Sequence, residues 1–150
     1  MSKASEAYRL FPDDETIYTL FRILTYGQQR VLNAESLYNQ GVPKYESADY
    51  SAASSFFTKA FDEDPLNYSY SLNAGLAFYE YKDYDKAIKY FDLTLNSKKP
   101  AEIERAYRFK ALSLLYSNRR PQGCAVYLKL KNNFPKRMYE QEFQKFCLKK

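Results

Sequence analysis

Histidine and tryptophan are absent from this 150-residue chain, which has only two cysteines and four glycines. Without histidine, serine–histidine and cysteine–histidine nucleophile pairs and imidazole metal sites are excluded. The glycines stand far apart, so they form no glycine-rich loop that could bind a phosphate group. The acidic cluster Asp62-Glu63-Asp64 lies at a predicted helix end, where we expect a solvated turn rather than a cation site. The sequence therefore predicts no enzyme, no cofactor and no metal site.

Long apolar runs are also lacking. No stretch of about 18 apolar residues occurs, so the sequence predicts no insertion into a membrane. The amino-terminal residues are not followed by the apolar segment of a secretory signal. The compartment depends on the parent protein if the chain is a piece of a longer one, so cytoplasm and periplasm both remain open.

A repeat is the main feature that the chain does contain. Four residues of one segment recur 34 positions later, as the pairs Gly41 and Gly75, Tyr50 and Tyr84, Ala53 and Ala87, and Phe57 and Phe91. A weaker third copy follows at a distance of 36, with Gly123 and Tyr127 in the places of the alanine and the phenylalanine. The two extra residues fit in the connection at 96–100, because insertions between helices cost little.

A 34-residue repeat of this kind resembles the tetratricopeptide repeat (TPR), a helix–turn–helix unit that stacks into a superhelix. The resemblance implies an all-α fold, a right-handed solenoid of antiparallel helix pairs. In such a unit Ala53 or Ala87 lies where the two helices cross, and the aromatic residue four positions later fills the gap against the next unit. The predicted units are residues 33–66, 67–100 and 101–136.

The segments on either side of the repeats also have helical patterns. We expect residues 1–32 to form upstream helices, one closed by Pro12 and one over 13–30 with the apolar stripe Ile17, Leu20, Ile23 and Leu24. Residues 137–150 are predicted to form a capping helix with the apolar stripe Tyr139, Phe143 and Phe146. We therefore expect the chain to begin within an array and to end at a cap, as a trimmed piece of a longer protein would.

The two cysteines fall on the last two predicted helices. Cys124 lies on the second helix of the third unit and Cys147 on the capping helix. They are either two buried thiols or a disulfide, which requires Cα atoms within about 7 Å and implies an oxidising compartment. The pair Gly123-Cys124 with a closing Cys147 also resembles the ends of some bacterial TPR arrays. The sequence leaves both alternatives open.

Charge is unevenly distributed. Residues 1–95 carry 9 basic and 14 acidic side chains, whereas residues 96–150 carry 14 basic and 4 acidic ones. The basic carboxyl-terminal part favours an acidic partner or a nucleic-acid backbone. A charged surface that only maintains solubility is the alternative interpretation.

The resemblance implies that partners bind on the concave face, which the first helix of each unit lines. The residues predicted there are Tyr38, Asn39, Tyr45, Leu72, Asn73, Leu76, Tyr79, Arg105, Arg108 and Tyr116. We expect the tyrosines and leucines to be partly exposed, beside a basic group formed by the two arginines. Tyrosine and leucine offer contact area, and arginine offers a fork for carboxylates.

One well-known TPR groove is a poor match. The carboxylate clamp for chaperone tails requires basic and amide residues at five aligned places. Only Asn73 and Arg105 fit, whereas the other three places hold Tyr38, Val42 and Phe109. The sequence thus argues against a receptor for chaperone tails.

The resulting prediction is a non-catalytic adaptor that binds a protein or peptide segment in its groove. A segment with apolar anchors and an acidic side chain suits the predicted residues. The alternative is nucleic-acid binding through the basic carboxyl-terminal third, with Tyr and Phe as stacking platforms. Self-association, or support of a larger parent protein, is left open.

Overall fold

The computed structural model describes residues 3–11 and 13–149. These residues form helices joined by short turns, with no β-strand among them. The α-helices are α1 Lys3–Leu10, α2 Glu15–Tyr26, α3 Gln28–Glu46, α4 Tyr50–Glu63, α5 Tyr68–Glu80, α6 Tyr84–Thr94, α7 Pro100–Tyr116, α8 Arg120–Asn133 and α9 Arg137–Phe143. A π-helical turn, Gln144–Leu148, continues α9. The predicted all-α solenoid of antiparallel helix pairs is confirmed. No helix in the described ranges is long and apolar enough to cross a bilayer.

Three helix pairs, α3–α4, α5–α6 and α7–α8, share one turn geometry. We call α3, α5 and α7 the inner helices, and α4, α6 and α8 the outer helices. Each turn contains one non-glycine residue in the left-handed region, and these are Ala48 (φ 62°), Lys82 (φ 63°) and Asn118 (φ 62°). The next N–H reaches back to the inner helix in all three turns, as in the bond from Asp83 to the Phe78 carbonyl (2.9 Å). This pattern closes the end of a helix with a backbone hydrogen bond.

The same turns also begin the outer helices. The side chain of Asp49 accepts a hydrogen bond from the Ala52 N–H, and that of Asp83 from the Lys86 N–H, both at 3.2 Å. An aspartate at this position satisfies an N–H group that the first helical turn leaves free. Arg119 makes no such cap, and a proline in the first turn of α8 follows it instead. One residue thus ends one helix and starts the next in the first two pairs.

Small residues let the helices of each pair approach closely. Ala53 and Ala87 are fully buried, as are Phe57 and Phe91 four residues later. A Cβ atom added to Gly75 would lie 2.6 Å from the ring of Phe91, so the inner helix has no room for a larger residue there. The interior is close-packed around these rings, because any gap would forfeit dispersion contacts.

The helix predicted over residues 13–30 is shorter than expected. It ends at Tyr26, because the following Gly27 has a non-helical backbone conformation (φ 91°). The Gly27 N–H donates to the Ile23 carbonyl (2.8 Å). The predicted apolar stripe of α2 lies largely outside, since Leu20 is 53% and Leu24 72% exposed. The buried face carries Tyr18 and Arg22 instead. Pro12, predicted to close the preceding helix, lies outside the described residues.

A buried ion pair fixes α2 to the rest of the chain. The guanidinium of Arg22 donates to the carboxylate of Asp64, and both side chains are almost completely buried. Burial raises the pKa of Asp64, and the neighbouring Arg22 opposes that shift. Asp64 therefore does not lie in a solvated turn, which corrects the expectation for this part of the acidic cluster.

Helix α9 packs on the last pair through the apolar residues Tyr139 and Phe143 and through polar contacts. Glu142 accepts hydrogen bonds from the guanidinium of Arg108 (2.6 and 3.3 Å) and from the hydroxyl of Tyr127 (2.7 Å). The hydroxyl of the buried Tyr139 donates to Glu104 on α7. These contacts place α9 over the open end of α7 and α8.

A covalent link holds the same end. Cys124 on α8 and Cys147 in the π-helical turn form a disulfide, with their Cα atoms 5.7 Å apart. Of the two alternatives that the sequence leaves open, the structure has the disulfide. The guanidinium of Arg120 adds hydrogen bonds to the Phe146 and Lys149 carbonyls, so the last turn is attached to α8 at several points.

We predict that Ala53→Trp will lower the free energy of unfolding. The alanine has no exposed surface, and overpacking a close-packed site typically costs about 1–3 kcal/mol. Ser55→Trp, on the same helix but exposed, serves as the matched control and should melt like the parent chain. Melting followed by helical circular dichroism is the measurement. An unchanged melting temperature for Ala53→Trp would contradict the packing described for α3 and α4.

We also predict a pH-dependent contribution from Glu142. Burial alone would raise its pKa, but hydrogen bonds from Arg108 and Tyr127 outweigh burial and hold the pKa below its ordinary value. Such a group stabilises the fold above its unfolded pKa, and the stabilisation is lost as pH falls through the lowered folded pKa. Glu142→Gln should therefore cost about 1–2 kcal/mol at neutral pH, and the difference should shrink below about pH 4.

Chemical denaturation at several pH values measures this effect. Glu140→Gln, on the same helix, is the control: its carboxylate contacts only Lys131 and Gln144 near the surface, so the change should affect stability little at any pH. A Glu142→Gln difference that stays constant down to pH 3 would show that the carboxylate does not stabilise the contact with α7.

Candidate partner-binding groove

Tyrosines mark the carboxyl-terminal ends of the three inner helices. Tyr45 and Tyr79 occupy equivalent places on α3 and α5, and Tyr116 is the last residue of α7. The Tyr79 and Tyr116 rings lie 6.2 Å apart between centroids, and Tyr79 also meets Phe109 edge-on at 5.2 Å. Tyr116 remains 52% exposed. Three of the predicted site residues thus lie along one edge of the inner face.

The expectation that Leu72 and Leu76 are partly exposed is wrong. They are only 3% and 6% exposed, in a core cluster with Phe91 and Ala106. The side chains of Tyr45, Tyr79 and Phe109 pack against this cluster. Large aromatic rings from α3, α5 and α7 therefore pack over the leucines.

The two predicted arginines differ in their surroundings. Arg108 is engaged by Glu142, and this hydrogen bonding raises the pKa of its guanidinium. Arg105 is exposed, and the ion pairs found in the described ranges do not include it. The predicted basic group therefore consists of Arg105 alone, because α9 neutralises its neighbour.

The two predicted asparagines also differ. The Asn73 side-chain amide donates to the Ser69 carbonyl of its own helix (2.7 Å), so one of its N–H groups is already used. Asn39 is exposed and lies beside Tyr38 in a cleft between α2, α3 and the start of α5. The Tyr38 ring packs on Tyr70, with centroids 5.1 Å apart. Tyr38 is therefore held by the core while one side of it faces the cleft.

This cleft has a volume of about 550 Å³ and a largely polar lining. Three of its lining residues, Glu15, Arg22 and Lys99, were missed by sequence reasoning. Glu15 and Lys99 form an ion pair although they are 84 residues apart in the chain. No repeat pattern links them, because α2 is not part of a repeated pair. The only local indication of this ion pair was the acidic start of α2, since an acidic residue there can pair with a basic residue from another segment.

Some basic residues of the carboxyl-terminal part are paired with carboxylates. Six of its 14 basic side chains form ion pairs in the described residues, and the pairs are Lys99 with Glu15, Arg108 with Glu142, Lys110 with Asp92, Arg119 with Asp85, Lys131 with Glu140, and Lys136 with Glu104. Part of the positive charge counted in the sequence is therefore offset locally. In the ranges 3–11 and 13–149, no group of three or more carboxylate or thiol ligands could hold a metal ion.

Two solved structures are similar to this chain. One is the first TPR of Spaghetti (RPAP3) bound to the HSP90 peptide SRMEEVD, with a TM-score of 0.69 and 18% identity over 79% of this chain and 93% of that one. The fold is that of a TPR domain. The other is the Arabidopsis OM64 TPR domain, with a TM-score of 0.66 and 20% identity over 77% of this chain and 98% of that one. No protein-family model and no curated protein sequence matches this chain.

We predict that Arg22→Met will destabilise the fold by about 3 kcal/mol, because it leaves the buried Asp64 carboxylate without its counter-ion. The double replacement Arg22→Met, Asp64→Leu removes both charges and should restore most of that loss. Urea denaturation of the two variants and the parent chain makes the comparison. A double variant as unstable as the single one would show that packing, rather than charge, dominates this contact.

Proposed function

We propose that this TPR domain is a non-catalytic adaptor that binds an extended segment of a partner protein along its inner helices. The observation that carries the proposal is the row of partly exposed tyrosines, Tyr45, Tyr79 and Tyr116, at the ends of three successive inner helices. Rigid aromatic rings bury large areas on binding and lose little rotamer entropy. Proposed repeat units 33–66, 67–100 and 101–136 each contribute one ring.

Polar groups beside the rings supply orientation. The side-chain oxygen of Asn73 can accept a backbone N–H of an extended segment, and the exposed Asn39 can both donate and accept. Arg105 offers the one unpaired guanidinium among the proposed site residues, which suits a single carboxylate of the partner. A segment with apolar anchors and one acidic side chain therefore matches this surface. Leu72 and Leu76 act indirectly, because the tyrosine rings pack against them. Arg108 also acts indirectly, because it holds α9 through Glu142.

A chaperone tail is not the segment that we propose. One similar TPR structure has an HSP90 peptide bound, but this chain keeps Asn73 and Arg105 alone of the clamp residues. Tyr38, Val42 and Phe109 replace side chains that would carry the polar contacts. An apolar and aromatic floor favours side-chain anchors over a terminal carboxylate.

Nucleic-acid binding has less support than protein binding. Affinity for a phosphate backbone depends on lysines and arginines that release counterions. Lys131 and Lys136 are instead paired with glutamates, whereas Lys129 and Arg137 are exposed. Salt-dependent retention on single-stranded DNA that disappears in a Lys129→Ala, Arg137→Ala variant would favour this alternative.

The proposal predicts that Tyr116→Ala, Arg105→Ala will weaken partner binding by about 1–2 kcal/mol, because it removes one aromatic contact and the free guanidinium. Both side chains are exposed, so helicity should not change. The partner is first captured on the immobilised chain and identified by mass spectrometry. Its purified form is then titrated by calorimetry against the parent chain and the variant.

Leu128→Ala, Lys129→Ala is the matched control, because it removes one apolar and one basic exposed side chain from the outer helix α8. It should leave partner affinity unchanged. Equal affinity of the parent chain and a folded Tyr116→Ala, Arg105→Ala variant would exclude the inner face as the binding site.

A further inference from the structure

A short acidic and aromatic motif occurs twice at the end of an inner helix. Tyr45-Glu46 is followed four residues later by Tyr50, and Tyr79-Glu80 by Tyr84, with the turn between them. The rings of each tyrosine pair meet edge-on, at 5.2 Å in the first copy and 6.0 Å in the second. The two copies therefore present the same arrangement, one tyrosine pair with an adjacent glutamate, in successive units.

A tyrosine of the third unit lies next to the tyrosine pair of the second copy. At the place that aligns with Glu80, the sequence has Tyr116, 36 residues later. Its ring lies 6.2 Å from that of Tyr79 and 6.2 Å from that of Tyr84. The three centroids thus form a nearly equilateral triangle, and we call these three residues the tyrosine triad. A cation above the centre of such a triangle is within about 6 Å of every ring, the range of cation–π attraction.

The glutamates beside the tyrosines have no counter-ion of their own. Glu46 and Glu80 are exposed, and the ion pairs of the described residues involve other carboxylates. The pKa of Tyr79 is raised to about 12. Burial is the main cause, and Tyr116 and the charge of Glu80 add to it. Burial and then Glu80 also raise the pKa of Tyr45. The charge of Glu80 therefore acts on a tyrosine of both pairs, and at Tyr45 the charge of Arg105 opposes it.

The faces of these rings are also free of the chain's own cations. Elsewhere the fold places basic side chains over aromatic rings, as with Lys86 over Phe78 (5.4 Å) and Arg108 over Phe109 (5.6 Å). Within the described ranges, no lysine or arginine occupies Tyr45, Tyr50 or the triad in this way. Unpaired carboxylates next to unoccupied rings form a surface complementary to a positive charge.

We propose that the tyrosine triad, together with Glu80, binds a cationic side chain of the partner segment, a lysine or an arginine. The ring faces attract the cation and the carboxylate compensates its charge. This inference rests on the proposed function, and it adds a positive residue to the segment. Because Arg105 attracts a carboxylate and Glu80 a cation, the two sites together fix the direction of the bound chain.

A titration with a minimal probe tests the site without the natural partner. N-acetyl-arginine amide is added to the isotope-labelled chain, and N-acetyl-citrulline amide, which has nearly the same shape without the charge, is added in parallel. We expect the arginine probe to shift the ring resonances of the triad and the backbone resonance of Glu80 to saturation. The citrulline probe should leave them in place. Equal shifts with both probes, or none with arginine, would overturn the proposal.

Variants distinguish binding of the probe at the triad from a general effect of the domain's net charge. Tyr116→Leu should weaken binding of the arginine probe about two- to five-fold, the range of an exposed cation–π contact. Glu80→Gln should weaken it by about the same factor, the upper range of an exposed ion pair. Asp62→Asn removes one exposed negative charge from the outer helix α4 and should leave probe binding unchanged. If Asp62→Asn weakens the probe as much as Glu80→Gln does, only the net charge of the domain matters.

The two proposals fail in different ways. A partner that loses affinity in Tyr116→Ala, Arg105→Ala, combined with no response to the arginine probe, would keep the groove and reject the cation site. An arginine probe that binds at the triad, combined with unchanged partner affinity in the same variant, would show a cation-binding surface that the partner does not use, and would reject both the groove and the triad as places of partner binding.

Discussion

Each helix pair depends on the close approach of two backbones at one small residue. In the first two pairs the inner helix supplies it, since a Cβ atom on Gly41 or Gly75 would lie 2.7 or 2.6 Å from a phenylalanine ring. In the third pair the outer helix supplies it, because a Cβ atom on Gly123 would meet Leu115 at 2.9 Å. The close approach is therefore kept in all three pairs, although the glycine lies on the inner helix in two of them and on the outer helix in the third. In the first two pairs it positions the rings of Phe57 and Phe91.

The paired helices could be predicted because their determinants are local and repeated. Small residues, the aromatic residue four positions later and the turn aspartate recur at fixed distances, so one copy supports the assignment of the next. Asp49 and Asp83 then cap the outer helices as short-range hydrogen bonding requires. Tyr38, Tyr45, Tyr79 and Tyr116 were placed on the inner helices by the same alignment. Whether they bind a partner stays a prediction.

The remaining features depend on contacts between segments without a common pattern. Burial of Leu72 follows from rings on two neighbouring helices, which its own segment does not specify. Arg108 is paired rather than free because of Glu142, which lies 34 residues later on a helix that has no equivalent among the pairs. The position of α2 depends on Arg22 meeting Asp64 across 42 residues. Charge pairs of this kind cannot be read from spacing, since many carboxylates are available to each arginine.

The uniform three-residue turns have a consequence for how the array can change length. Inner and outer helices are always joined at 47–49, 81–83 and 117–119, and the two extra residues of the third copy lie outside these turns. The length difference between these units therefore lies at the edge opposite the turns. Units of such an array can differ in length there while the connection from each inner helix to its outer helix stays the same.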